Sequence, residues 1–188
     1  MNKILLLQSR PEDDVCLDEF EAICRLGGIE PGQVVRLRME RDELGEIDLD
    51  AYQAVIMGGG PANFASSEDK KSTEQKRYEA WLIGLMQRII DADKPFFGMC
   101  LGIGVIATAL GTRPSFAYGE AVAPTEIIVD ELAASDPIMA DVPPRFYALV
   151  GHKEGIGQAP RGAQQLAHSD TCVQILRCGE NVYGTQFH

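Results

Sequence analysis

One thiol in this chain sits in a setting built for reaction. In "PFFGMCLGIGVIATALG", residues 95–111, Cys100 lies between Gly98 and Gly102, after one apolar run and before another. A residue squeezed between a strand and a helix occupies a strained turn, and small neighbours two positions away relieve the crowding. G-x-C-x-G is the cysteine form of the nucleophile elbow, which presents its side chain above a sheet. The chemistry is attack of sulfur on an acyl carbon. The helix starting near Leu101 points its N-terminus at the sulfur, so the expectation is a lowered thiol pKa and an oxyanion donor in the Leu101 N–H. "MGGGP", residues 57–61, ends another strand, and Gly60 is the candidate for the second oxyanion donor. A buried, inert cysteine with turn-forming glycines is the plain alternative. A phosphate-binding loop is the alternative for "MGGGP". No G-x-G-x-x-G follows the first strand, which argues against a dinucleotide site.

A thiol at such a turn needs a base. Three histidines are available: His152 in "LVGHKEG", His168 in "QLAHSD" and His188 in "VYGTQFH". His152 and His188 end strand-like runs and are the better placed. His168 reads as a surface or strand-end residue.

The elements that must hold these groups alternate in type. "KILLLQ" is a nearly all-apolar run, as for a strand covered on both faces. Residues 12–27 put Cys16, Phe20, Ile23 and Gly27 on one helical stripe, closed by a glycine pair. "QVVRLRM" reads as a strand near a sheet edge, and "YQAVIMGGG" as one that stops abruptly. Ser72 and Gln75 form a capping box for a helix whose stripe is Tyr78, Trp81, Leu82, Leu85, Met86 and Ile89. "KPFFGM" and "LGIGVIATALG" follow as strand and helix. Such alternation implies parallel pairing and right-handed crossovers, hence an α/β, doubly wound, mainly parallel sheet with helices on both faces. Beyond residue 112, "EAVAPTEIIVD", "FYALVGH", "CVQILRC" and "NVYGTQF" imply a mixed or antiparallel flank, with short helical chances around 131–140.

The bulk numbers agree with a single domain over 1–188. The chain has 188 residues, 45% of them hydrophobic, and a formal net charge of -11. That charge argues against a nucleic-acid or anionic-membrane partner. No run approaches the roughly 20 apolar residues of a membrane span. The five cysteines form no tight framework, so reduced thiols and a cytoplasmic location are expected. Cys172 and Cys178 read as too isolated from other ligand types for zinc, and no metal or cofactor is implied.

In order along the chain, "MGGGP", "KPFFGMCLG", "IATALG", "TEI", "LVGHKEG", "PRGAQQLAHSD" and "VYGTQFH" resemble the class I glutamine amidotransferases, the triad type with a cysteine nucleophile. The chain is most similar to the free-standing GMP synthase-type amidotransferase domains. The resemblance implies a flavodoxin-like fold. It also implies hydrolysis of the side-chain amide of glutamine, or of a γ-glutamyl compound, through a cysteinyl thioester, with ammonia passed to a separate synthase subunit. Cys100 would be the nucleophile, His188 the base and then acid, and Gly60 and Leu101 the oxyanion hole. Gly59, Gly104 and His152 would lie on the substrate side. Two departures stand out. Gly104 replaces the glutamine of G-x-C-x-G-x-Q, which leaves room beside the pocket and relaxes the expected preference for glutamine. The family motif continues His-Pro-Glu, whereas the sequence stops at His188, so a C-terminal segment carrying the glutamate is expected to be missing. Two other readings stay open: a non-catalytic or regulatory member of the same fold, and a different cysteine-elbow hydrolase of the dienelactone-hydrolase kind.

Overall fold

The computed structural model describes residues 3–188. Nine strands form one sheet in the order β2-β1-β3-β4-β9-β8-β7-β5-β6. β1 (Ile4–Gln8), β2 (Val34–Arg38), β3 (Ala54–Met57), β4 (Phe96–Met99) and β9 (Val182–Thr185) run parallel. β5 (Glu120–Val129), β6 (Arg145–His152), β7 (Ala163–His168) and β8 (Val173–Cys178) join them through antiparallel pairs.

All five residues of β1 are buried, as its unbroken apolar run requires of a central strand. β2 lies at the sheet edge and is mostly half-buried, matching its mixed sequence. α1 (Asp13–Gly27) leads from β1 to β2 and ends on Gly28, whose φ of 62° is the left-handed cap that glycine adopts freely. α2 (Thr73–Asp91) leads from β3 to β4 and buries Tyr78, Leu82, Leu85, Met86 and Ile89, while Trp81 stays half-buried. The Ser72 hydroxyl caps α2 by accepting the Gln75 N–H at 3.1 Å. The Gln75 side chain completes no box; it donates instead to Asn63 O at 3.0 Å.

From β1 the chain winds one way to β2, and from β3 the other way to β4. Right-handed crossovers in opposite directions put α1 and α2 on opposite faces. The strand order therefore reverses between β1 and β3, where open sheets of this kind bind ligands beyond the strands' carboxyl ends. α3 (Leu101–Ala109) follows β4 and packs with α2.

The second half departs from its sequence reading in two respects. "AQQLAH" is a full strand, β7, with His168 as its last residue. "VYGT" does not sit on the flank: β9 lies beside β4 at the middle of the sheet, with Met99 opposite Thr185. Residues 131–139 form short 3-10 turns. No helix among the described residues is long and apolar enough to cross a membrane.

Candidate active site

The carboxyl ends of β1, β3, β4 and β9 share one edge, and the polar groups gather there. Cys100 joins β4 to α3 with φ 54° and ψ -90°, a backbone conformation that side chains rarely adopt. Holding a non-glycine residue there costs about 1–3 kcal/mol, which the surrounding structure must offset. The Cys100 N–H donates to Thr185 O at 2.8 Å, so β9 pins the turn. The flanking glycines have a steric cause: a Cβ on Gly98 would lie 2.8 Å from the Gly102 backbone and 2.7 Å from the Phe96 ring. Strand and helix touch at that point.

Cys100 is half-buried, and the other four cysteines are buried; all five are free thiols. The expected lowering of its pKa does not occur. Burial raises it, with the Glu154 and Glu19 carboxylates adding to the rise; the Arg10 guanidinium and the Leu101 N–H, which bonds the sulfur, oppose it. Desolvation of the thiolate outweighs one helix terminus, so this thiol must lose its proton to a base.

The glycine loop lies alongside. Gly60 lines the cavity that holds Cys100, and a Cβ there would stand 3.3 Å from the Leu101 side chain. Among the described residues, no hydrogen-bond partner occupies the Gly60 N–H. Gly59 carries the chain end: a Cβ on it would meet the His188 ring at 2.4 Å. Although His188 as a residue is exposed, its ring rests on this loop beside Arg10. Burial of the ring, then Arg10, push its pKa below the usual value, against the pull of Glu19, so it is neutral at pH 7. No hydrogen bond joins His188 to Cys100 among the described residues.

The other histidines are committed elsewhere. The His152 ring nitrogens face Glu154 O at 2.8 Å and Glu120 Oε2 at 2.7 Å. His152 lines the cavity, but both of its ring nitrogens are engaged by Glu154 and Glu120 rather than turned to Cys100. His168 pairs through Nδ1 with Asp130 at 2.9 Å and lines none of this cavity.

The cavity, about 130 Å³, also receives Gln186 and Glu154. Gln186 is 3% exposed; its Nε2 donates towards Cys100 Sγ at 3.9 Å, and its Oε1 is buried without a partner. Glu154 accepts the Phe64 and Ala65 N–H groups at 2.8 and 2.6 Å. Burial raises its carboxyl pKa against those two donors. Gly104 lines this cavity, but the room left by its missing side chain is narrower than the sequence implies. The Phe64 ring would lie 3.3 Å from a Cβ there, with Glu154 at 3.7 Å.

Sequence reasoning missed Ser9, Arg10, Glu19, Phe64, Glu154 and Gln186. Ser9 and Arg10 had a signal, because they directly follow the first core strand at its ligand-binding edge. Gln186 and Glu154 each lie two residues from a histidine already singled out. Cys172 was also misread as isolated: Glu120, His152 and Cys172 bring ligand atoms within 4.8 Å of one another. Glu120 there already accepts from His152, from Ser169 at 2.8 Å and from Gln174 at 2.6 Å, which makes the cluster a hydrogen-bonded strut between strands.

Comparison with known proteins sets this geometry in a family. A GMP synthase [glutamine-hydrolyzing] subunit from Haloarcula marismortui is 30% identical over 159 residues, covering 84% of this chain and 72% of that protein. The protein of the same description from Ignicoccus hospitalis is 32% identical, over 75% of this chain and 68% of its own. The one from Methanocaldococcus jannaschii is 36% identical, but the match spans only 53% of this chain and 52% of that protein. The fold matches a crystal structure of a glutamine amidotransferase from Thermotoga maritima with a TM-score of 0.77 at 22% identity, over 100% of this chain and 76% of that one. A putative GMP synthase subunit from Thermoplasma acidophilum gives 0.72 at 21%, over 100% and 84%. The family model for glutamine amidotransferase class-I matches residues 30–188, a span that holds the glycine loop, the elbow and His188. On that match this chain belongs to the class-I glutamine amidotransferases.

Proposed function

We propose that this protein hydrolyses the side-chain amide of glutamine through Cys100 and that a separate synthase subunit consumes the ammonia. The observation that carries the reading is the Cys100 elbow: a left-handed cysteine at the carboxyl end of a core strand, with the Leu101 N–H on its sulfur. The His188 imidazole, neutral at pH 7, takes the thiol proton. The thiolate attacks the carboxamide carbon, and the oxyanion is held by the Leu101 and Gly60 N–H groups. Collapse breaks the C–N bond, and His188 returns its proton to the departing ammonia. Water, deprotonated by His188, then attacks the thioester, releasing glutamate and the thiol. This reading requires the ring to turn from its seat on Gly59 towards the sulfur. The names of the relatives support a synthase as the partner.

Ammonia release from glutamine tests this. Cys100→Ala is expected to lower the rate by at least about a thousandfold, while Cys172→Ala keeps the parent rate. A Cys100→Ala protein with parental activity would overturn the mechanism.

A further inference from the structure

Each of the three glycines in "MGGGP" leaves its missing Cβ to a different side chain. At Gly58 a Cβ would stand 2.4 Å from the Glu19 carboxylate. At Gly59 it would meet His188 and, at 2.9 Å, Arg10; at Gly60 it would lie 1.9 Å from the Ser9 hydroxyl. The loop is cast against residues of α1 and the end of β1, and they hold it by its peptide groups. The Gly59 N–H donates to Glu19 Oε1 at 3.2 Å, and the Ser9 hydroxyl donates to Gly59 O at 3.3 Å.

Those bonds fix two successive peptide planes. The carbonyl of Gly59 and the N–H of Gly60 belong to one planar trans unit and point in opposite directions. Holding the carbonyl on Ser9 therefore aims the Gly60 N–H away from Ser9 and stops the plane from rotating. Glu19 fixes the plane before it. Glu19 is itself held, accepting from Arg10 Nε at 3.2 Å and Gln8 Nε2 at 3.1 Å. Ser9 is 2% exposed, so water does not compete for its bond. Glycine adopts many backbone conformations with little cost, and a run of three would otherwise leave the donor poorly aimed.

We propose that Ser9 and Glu19 are positioning residues that hold the Gly60 N–H ready for the oxyanion; the inference rests on the function proposed above. Neither touches the reacting atoms. Both act by removing freedom from the loop before the substrate arrives, which is how an oxyanion hole avoids reorganisation during reaction.

The test compares the full chain with Ser9→Ala, Glu19→Ala and Glu19→Gln, using two readouts on each. One is kcat and KM for glutamine. The other is alkylation of Cys100 by iodoacetamide, a displacement at carbon that forms no oxyanion. Ser9→Ala is expected to lower kcat about tenfold or more, with KM and the alkylation rate within about twofold of the parent. Glu19→Ala should lower kcat similarly, while alkylation, freed of a carboxylate that raises the Cys100 pKa, holds or rises. Glu19→Gln keeps an oxygen for the Gly59 N–H and should recover most of kcat. Unchanged kcat in Ser9→Ala and Glu19→Ala, or alkylation falling in step with kcat, overturns the positioning role alone. A parent chain that does not hydrolyse glutamine, or hydrolyses it without Cys100, overturns the proposed function and this role together.

Discussion

The edge of the parallel strands and the interior of the antiparallel strands hold similar residue types in opposite states. Cys100, His188 and the Gly60 N–H lie at the first; Cys172, His152 and Glu120 lie in the second. In the antiparallel half every such group has a partner: Glu120 bonds His152, Ser169 and Gln174, and Cys172 donates to Glu120 at 3.5 Å. At the parallel edge the sulfur sits on a strained backbone and, among the described residues, His188 has no hydrogen bond to it. A buried amide oxygen without a partner occurs in both regions, at Gln186 and at Gln174. The reactive thiol is set apart by the strain of its backbone and by a base left unbonded to it, more than by residue identity.

The two thiols offer the largest effect with which to break that contrast. Burial, reinforced by Glu120, pushes Cys172 up to about 12, while at Cys100, which is less buried as a residue, the rise from burial is opposed by Arg10 and the Leu101 N–H. Iodoacetamide at limiting concentration and pH 8 should label Cys100 at least about tenfold faster than Cys172, as peptide mapping would show. A raised pKa also fixes the sign with pH: the thiolate fraction is below that of a free cysteine at neutrality, so the labelling rate should still climb above about pH 9. A rate already flat at neutral pH would mean a preformed thiolate and remove the need for His188 as base.

The strut in the antiparallel half gives an intermediate effect. Burial opposes ionisation of Glu120, but hydrogen bonds from His152 and Ser169 outweigh it and lower the carboxyl pKa. With the folded value depressed, the stabilisation is present above the unfolded carboxyl pKa of about 4.3 and lost as pH falls through the folded value. Glu120→Gln should therefore cost about 2 kcal/mol at pH 7, lowering Tm by roughly 4–8 °C, and much less at low pH. An equal loss at pH 7 and well below pH 4 would show that the charge of Glu120 contributes nothing.

The smallest effect is expected at Gly104. Alanine in the middle of α3 gains up to about 1 kcal/mol over glycine, but Phe64 must yield a few tenths of an ångström. Gly104→Ala should therefore fall within about 0.5 kcal/mol of the parent by urea denaturation. Gly104→Gln should displace Phe64 and cost about 1–3 kcal/mol, with Phe64→Ala in the same chain recovering part of it. A Gly104→Gln protein as stable as the parent would mean that the wall beside Cys100 is open, as the sequence alone implied.

Much of this is legible in the sequence. The unbroken apolar run of β1, the capped stripes of α1 and α2 and the glycine-flanked elbow are local patterns, and a local pattern reports its own environment. Periodicity says which face is covered, and glycine spacing says where chains approach closely. Partners distant in sequence were not legible, because nothing in "VYGTQFH" says that it inserts beside β4 rather than on the flank. Pairing across a sheet is decided by which strand ends find each other, and that depends on the whole chain. The same reason hid Glu19 beneath Gly58, Phe64 beside Gly104 and Glu120 beneath Cys172. It also reversed the thiol: the sequence showed the helix terminus that would lower its pKa, but only tertiary packing supplied the burial and carboxylates that raise it. The sequence by itself determined the elements, the elbow and the family. Only the tertiary structure decided which groups at that elbow are free to react, since that depends on what the rest of the fold has already bonded or buried.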